Sequence, residues 1–173
     1  MDETILVFSD SHGDPTLMRQ ALKTNIGASI IHLGDGIDDL SFLDTNGRQI
    51  YTVCGNFESY LYPSTTKNHD LYEKLIEVSE TRILMMHGHL HSVKSSLDSA
   101  IRAATAADAD LLLFGHTHTP VDIYLPEGTK VAGMILKKPL RIMNPGTAGR
   151  GAKLSYGVLT FRDGALLTSH FQK

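Results

Sequence analysis

The side chains best suited to chemistry include two pairs spaced two apart, Asp10-x-His12 and His116-x-His118. In an extended segment such residues project to the same side, so each pair can present two ligand atoms to one region. Asp35, Asn56 and His87 complete the set. Carboxylate, amide and imidazole donors are those that intermediate divalent ions accept, and a set without thiolates argues against a purely structural zinc site. Asp35 has two carboxylate oxygens and can bridge two ions. Seven candidates are too many for one tetrahedral site and suit two ions sharing a bridge. Two such ions about 3.5 to 4 Å apart can lower the pKa of a shared water and stabilise a leaving oxygen. Their charge of about +4, less two aspartates and one hydroxide, leaves about +1, which suits a phosphate ester anion.

These residues need elements to position them, and the chain repeats one device. Short apolar runs end in polar clusters: Ile5 to Phe8 before Ser9-Asp10-Ser11-His12, Ser29 to Ile31 before His32-Leu33-Gly34-Asp35, Gln49 to Val53 before Cys54-Gly55-Asn56, Arg82 to Met86 before His87-Gly88-His89, and Leu111 to Phe114 before Gly115-His116-Thr117-His118. Continuous apolar runs bounded by turn residues read as buried strands. Helical patterns lie between them, chiefly Pro15 to Lys23, with Asp14 as N-cap, and Ser96 to Ala107. The alternation predicts an α/β domain, in which the carboxyl ends of neighbouring strands converge on one ligand-binding edge. A lone Gly-Asp or Gly-Asn is an ordinary turn. Five such clusters, each directly after a strand, predict one site.

Beyond His118 the pattern becomes strand after strand: Val121 to Leu125, Lys130 to Leu136, Leu140 to Met143, Leu154 to Phe161 and Ala165 to Phe171. Pro126-Glu127-Gly128 and Arg162-Asp163-Gly164 read as hairpin turns, so the C-terminal third is expected to be antiparallel.

Asp10-Ser-His12, Gly34-Asp35, Gly55-Asn56, His87-Gly-His89 and Gly115-His-Thr-His118, in this order, resemble the motif set of the calcineurin-like metallophosphoesterases, in particular the small bacterial and archaeal phosphodiesterase branch. The likeness runs from Ile5 to about Thr147 and includes Asn144-Pro-Gly-Thr147. It implies a four-layer αββα sandwich of two mixed β-sheets flanked by helices. It also implies a first metal held by Asp10, His12, Asp35 and His118 and a second by Asp35, Asn56, His87 and His116. Asp35, Asn56 and His87 are the residues expected to carry catalysis, with two Mn2+ as the leading cofactor and iron, cobalt, nickel or zinc as alternatives. Family members that cleave unactivated esters often carry a His directly after Gly-Asn, where it protonates the leaving group, but here Phe57 and Glu58 follow. That departure predicts activity on phosphodiesters with monoesters poorer, since general-acid help contributes about 10² to 10⁴ in rate. Glu58 is a candidate substitute. A non-catalytic interaction scaffold and a monoesterase or nucleotide hydrolase are the competing functions.

Composition agrees with such an enzyme. The 173 residues are 42% hydrophobic and 20% charged, with a net charge of −3. One globular domain, 1–173, is expected, and the charge gives no drive toward duplex nucleic acid. A single cysteine, Cys54, suits a reducing compartment, and the N-terminal sequence Met1-Asp2-Glu3 lacks a leader pattern, so a cytoplasmic protein with a small phosphate ester as substrate is expected. The apolar tail strands offer an edge for a homo-dimer or higher homo-oligomer. His32, His69, His91 and His170 read as ordinary structural histidines, His89 as a candidate support for the ligands, and Cys54 as a small buried residue. Arg141, Arg150 and Lys153 read as surface charge before phosphate ligands, and Asp38 and Asp39 as the acidic start of a helix.

Overall fold

The computed structural model describes residues 3–62 and 69–173, so Met1, Asp2 and the expectation about a leader lie outside it. In chain order the elements are β1 (Glu3–Phe8), α1 (Thr16–Thr24), β2 (Ser29–His32), a 3-10 turn (Ile37–Phe42), β3 (Ile50–Thr52), α2 (Asn56–Leu61), a 3-10 turn (His69–Leu71), β4 (Glu73–Val78), β5 (Thr81–Met86), a 3-10 turn (His89–His91), α3 (Asp98–Ala106), β6 (Leu111–Leu113), β7 (Val121–Leu125), β8 (Lys130–Val131), β9 (Met134–Ile135), β10 (Leu140–Asn144), β11 (Ser155–Arg162) and β12 (Ala165–Gln172).

Period-two alternation sorts these strands into layers. In β1, Ile5 and Val7 face one side and Leu6 and Phe8 the other, and all four are fully buried. Ile5 and Val7 join Ile31, Ile83, Met85, Leu111, Leu113 and Met143 in a core between two sheets. Leu6 and Phe8 pack with Leu17, Met18 and Leu22 of α1. On the outer face of the second sheet, Leu84, Met86 and Leu112 pack with Ala100, Ile101 and Ala104 of α3. The order of layers is therefore helix, sheet, sheet, helix, the αββα sandwich expected.

Among the described residues the first sheet runs β12-β11-β1-β2-β3 and the second β4-β5-β6-β10-β7. β1, β2 and β3 are parallel, as are β5, β6 and β10. The polar clusters after β1, β2, β3, β5 and β6 consequently leave the sheets at carboxyl ends, where ligands bind in open α/β sheets.

The tail departs from the expected antiparallel arrangement at β10, which runs parallel to β6 and antiparallel to β7. Such a pairing is non-local and leaves no local pattern. The 130–136 segment is a two-stranded hairpin of β8 and β9 turning at Ala132 and Gly133, not one strand. Pro126-Glu127-Gly128 does not close a hairpin, because β7 pairs with β10 instead of β8. The turn at Asp163 and Gly164 joins β11 to β12 as expected, and β12 forms an edge. α1 starts a residue late, with Asp14 Oδ1 accepting the Thr16 N–H at 3.0 Å. α3 starts at Asp98, whose N–H donates to Ser96 Oγ. No described helix is long and apolar enough to cross a membrane.

Candidate metal centre

The turns after the strands are locked to one another before any side chain points inward. The Asp10 N–H donates to Gly34 O and the His12 N–H to Asp35 O, both at 3.0 Å, joining the loop after β1 to the loop after β2. The Gly115 N–H donates to His87 O, tying the loops after β5 and β6. The His116 N–H donates to Asp10 Oδ2 at 3.0 Å, which links the two sheets at the site. Asp10, His12, Asp35, His116 and His118 all adopt positive φ, between 48° and 65°. That region is uncommon for residues other than glycine, and such conformations cluster at functional sites.

The result is two groups of ligand atoms. Asp10, His12 and His118 form one and Asp35, His87 and His116 the other, with the atoms of each group within 4.8 Å of one another. Asp35 Oδ2 lies 3.9 Å from His12 Nε2 and 3.5 Å from His87 Nε2, so one oxygen faces both groups. Asp10 Oδ1 is 3.1 Å from His118 Nε2 and 3.9 Å from His87 Nε2. Both Asp10 Oδ1 and His12 Nε2 are buried without a hydrogen bond. Buried polar atoms are normally paired, and a divalent cation satisfies both kinds of lone pair at once. The donor set therefore fits divalent ions.

The surroundings set the protonation states. Burial raises the Asp35 pKa, but contact with His87 and the Phe57 N–H at 2.7 Å outweighs it and holds the carboxyl down to about 2. Burial likewise opposes ionisation of Asp10, yet His118, His87 and a 2.5 Å hydrogen bond from Ser9 Oγ keep its pKa lowered. His87 is fully buried with Nδ1 2.8 Å from Leu33 O, so Nδ1–H donates there and Nε2 faces the carboxylates. Burial lowers its pKa and the two carboxylates overcome that, leaving it raised. Burial and the neighbouring His87 push His116 down to about 4.

Asn56 stands at the first position of α2, exposed, between Gly55 and Phe57. The chain there is pressed against Asp35: a Cβ at Gly55 would collide with Asp35 Oδ1. Glu58 explains the close approach. Its carboxylate accepts the backbone N–H groups of Asp35, Gly36, Ile37 and Gly55 at 2.7 to 3.0 Å. Burial raises the Glu58 pKa, and these four donors more than offset it, so the carboxyl is held below its usual range. Glu58 is thus a buried anion with no proton to give, which corrects the expectation that it substitutes for a general acid. The signal in the sequence is its place three residues after Gly55, where an acidic side chain caps a helix.

Further side chains brace the other loops. Asn144 donates to Gly115 O at 2.9 Å and Thr117 Oγ at 3.0 Å while accepting the Gly146 N–H, fixing the loop that carries His116 and His118. Thr147 Oγ donates to Asp10 O. Asp39 does more than begin a helix: it accepts Ser11 Oγ at 2.6 Å and the Gly13 N–H at 2.9 Å, bracing the loop around His12. Asp38 accepts the Tyr62 hydroxyl.

The remaining histidines are placed as follows. His32 is fully buried between the Gly34 N–H and Ser11 Oγ, with burial pushing its pKa down to about 4. His91 contacts Glu73 and Ser99, and His170 contacts Asn144 O. His89 lies with its ring 5.4 Å from His87 and 6.2 Å from His116, its Nδ1 buried and unpaired. Arg141 is held by a two-pronged pair to Asp122 at 2.8 and 3.0 Å, while Arg150 and Lys153 are exposed. Cys54 is half-buried, with burial raising its thiol pKa.

The two facing sheets thus carry two groups of metal-ligating atoms at their carboxyl ends. Residues 4–164 match the model of the calcineurin-like phosphoesterase superfamily domain, and the chain belongs to that family. It is 28% identical over 170 residues to the probable metallophosphoesterase YsnB of Bacillus subtilis, covering 93% of this chain and 86% of that protein. Among solved structures it resembles Vps29 of Cryptosporidium parvum, with a TM-score of 0.69, 18% identity and coverage of 99% and 98%. It also resembles an archaeal phosphodiesterase, with a TM-score of 0.63, 19% identity and coverage of 98% and 99%. At these identities the two structures speak for the fold.

Proposed function

We propose that this chain is a phosphodiesterase that uses two divalent ions, manganese first, to hydrolyse small phosphodiesters. Asp10, His12, Asp35 and His118 hold one ion and Asp35, Asn56, His87 and His116 the other. The observation that carries this reading is the position of Asp35 Oδ2 between His12 Nε2 and His87 Nε2, facing both ligand groups. When bound, such ions supply an activated water, in-line orientation and stabilisation of the leaving oxygen.

The chain's own residues do the positioning. Leu33 O fixes the tautomer and plane of His87, as partners of ligating histidines do elsewhere. The Phe57 N–H holds Asp35 Oδ1, leaving Oδ2 turned to the two groups. No proton donor stands directly after Asn56, because Phe57 has none and Glu58 is consumed by backbone N–H groups. Phosphomonoesters with poor leaving groups are therefore the weaker substrates. Two groups of three ligand atoms at the strand ends favour the enzyme over the scaffold reading, which has no need of them.

The test uses chelated protein reconstituted with manganese and compares initial rates on bis(4-nitrophenyl) phosphate and 4-nitrophenyl phosphate. Turnover that requires metal and favours the diester is expected, with a loss of at least about 10²-fold in Asp35→Asn. Undiminished turnover in that variant contradicts the shared-carboxylate scheme.

A further inference from the structure

Phe57 is the residue beside the ligand groups whose chemistry the mechanism leaves unused. Its ring meets the His12 ring edge-on, with centroids 6.0 Å apart and planes at 71°, yet it is 40% exposed. One part of the ring touches a proposed ligand and the rest faces open space. Tyr60 and Leu61, three and four residues on, share that side of α2 and are 82% and 45% exposed. An apolar strip thus leads away from His12 across the surface. The strip offers π faces and no proton donor at the position next to Asn56.

We propose that Phe57 is a specificity-determining residue that stacks on an aromatic ring of the leaving group, so that the site selects phosphodiesters with an aromatic, weakly basic leaving oxygen. This rests on the phosphodiesterase reading above. In the step concerned, a water oxygen bonds to phosphorus and gives its proton to solvent. The bond from phosphorus to the leaving oxygen breaks, its electron pair stays with that oxygen, and the group departs as an anion protonated by solvent. Without a donor beside it, departure is fastest for oxygens that carry negative charge well, and an aromatic ring both stabilises that charge and fits an aromatic wall. Offset or edge-on ring pairs supply the geometry that Phe57 presents.

The experiment separates this proposal from the one it rests on by measuring binding as well as turnover. Affinities of phenylphosphonate and cyclohexylphosphonate, close in size and compared at a pH where both are dianions, are determined by calorimetry for the manganese-loaded protein and for Phe57→Leu, which keeps apolar bulk but lacks a π face. The wild type is expected to favour the phenyl compound by about three- to tenfold, with the ratio falling to near one in Phe57→Leu. Equal affinity in the wild type, or a preference unchanged in the variant, overturns the proposal. A preference confined to phenylphosphonate is expected for an aryl ester; a preference for AMP over ribose 5-phosphate that exceeds the phenyl preference overturns the proposal, because a nucleotide leaves as a ribose alkoxide and not as an aromatic, weakly basic oxygen. Phenyl preference without diester turnover keeps the aromatic wall and removes the phosphodiesterase reading, whereas turnover without phenyl preference does the reverse.

Discussion

Glu58 Oε2 accepts the backbone N–H of Asp35 at 2.8 Å across 23 residues of chain, so the carboxylate that faces both ligand groups is held in place by a second carboxylate behind it. The same side chain also takes the N–H groups of Gly36, Ile37 and Gly55. It therefore joins the loop after β2 to the start of α2, and with it Asp35 to Asn56.

Replacing Glu58 by Gln leaves one oxygen and turns an NH₂ group toward N–H donors. Hydrogen bonds to a charged acceptor contribute about 1.5 to 3 kcal/mol each, and a buried donor left unpaired is costly. We expect Glu58→Gln to lose about 2 to 4 kcal/mol of stability and to bind manganese more weakly. Urea unfolding and metal titration read the two effects; a variant with unchanged midpoint and affinity contradicts the role assigned to Glu58.

Asn144 plays the corresponding part for the second sheet, through Gly115 O and Thr117 Oγ. Asn144→Ala frees the loop of His116 and His118 while touching neither ligand. Loss of a residue that orients ligands commonly costs about 10- to 100-fold in metal affinity. Calorimetric titration of both proteins with manganese should show a drop in that range, and equal affinities would remove Asn144 from the account.

Acid should destabilise the metal-free protein in two stages. The folded pKa of His32 is about 4, below its ordinary 6.5, so folding favours its neutral form. That contribution is complete above pH 6.5 and is lost as pH falls toward 4, amounting to about 3 kcal/mol. His116, also pushed down to about 4, adds to it, while His87, raised, works against it, its stabilisation being present at low pH and lost as pH rises. Asp35, held down to about 2 from an ordinary 3.8, contributes stability above pH 3.8 that is lost between there and pH 2. Asp10 and Glu58, also lowered, add to this second stage. Urea midpoints of the metal-free protein from pH 8 to pH 2 check the order of the two stages, and a flat profile between pH 7 and 4 runs against the first.

What the sequence made legible follows from where the information is local. Strands buried on both faces read as continuous apolar runs, so β1, β2, β5 and β6 and the polar clusters behind them stand out. β4 does not, because Glu73-Lys-Leu-Ile-Glu-Val78 is an edge strand with only Ile76 and Val78 buried. The direction of β10 depends on β6, nearly thirty residues earlier, and no local pattern records it. The six aspartate and histidine candidates fall into the two atom groups, whereas Asn56 stands exposed beside Gly55, which is pressed on Asp35. Glu58 is marked by its helix-capping place after Gly55 and Asn144 by the Asn144-Pro-Gly-Thr147 likeness, but neither signal names the distant backbone groups that these side chains hold. The positive φ at Asp10, His12, Asp35, His116 and His118 was equally hidden, since residue type alone announces it for glycine and seldom for aspartate or histidine.

A dinuclear centre requires two ions meeting at Asp35. Anomalous diffraction at the manganese edge from crystals of manganese-loaded protein tests it directly. Two peaks about 3.5 to 4 Å apart, one beside Asp10, His12 and His118, the other beside His87 and His116, with an Asp35 oxygen between them, are predicted. A single peak, or two that do not share Asp35, contradicts the dinuclear centre.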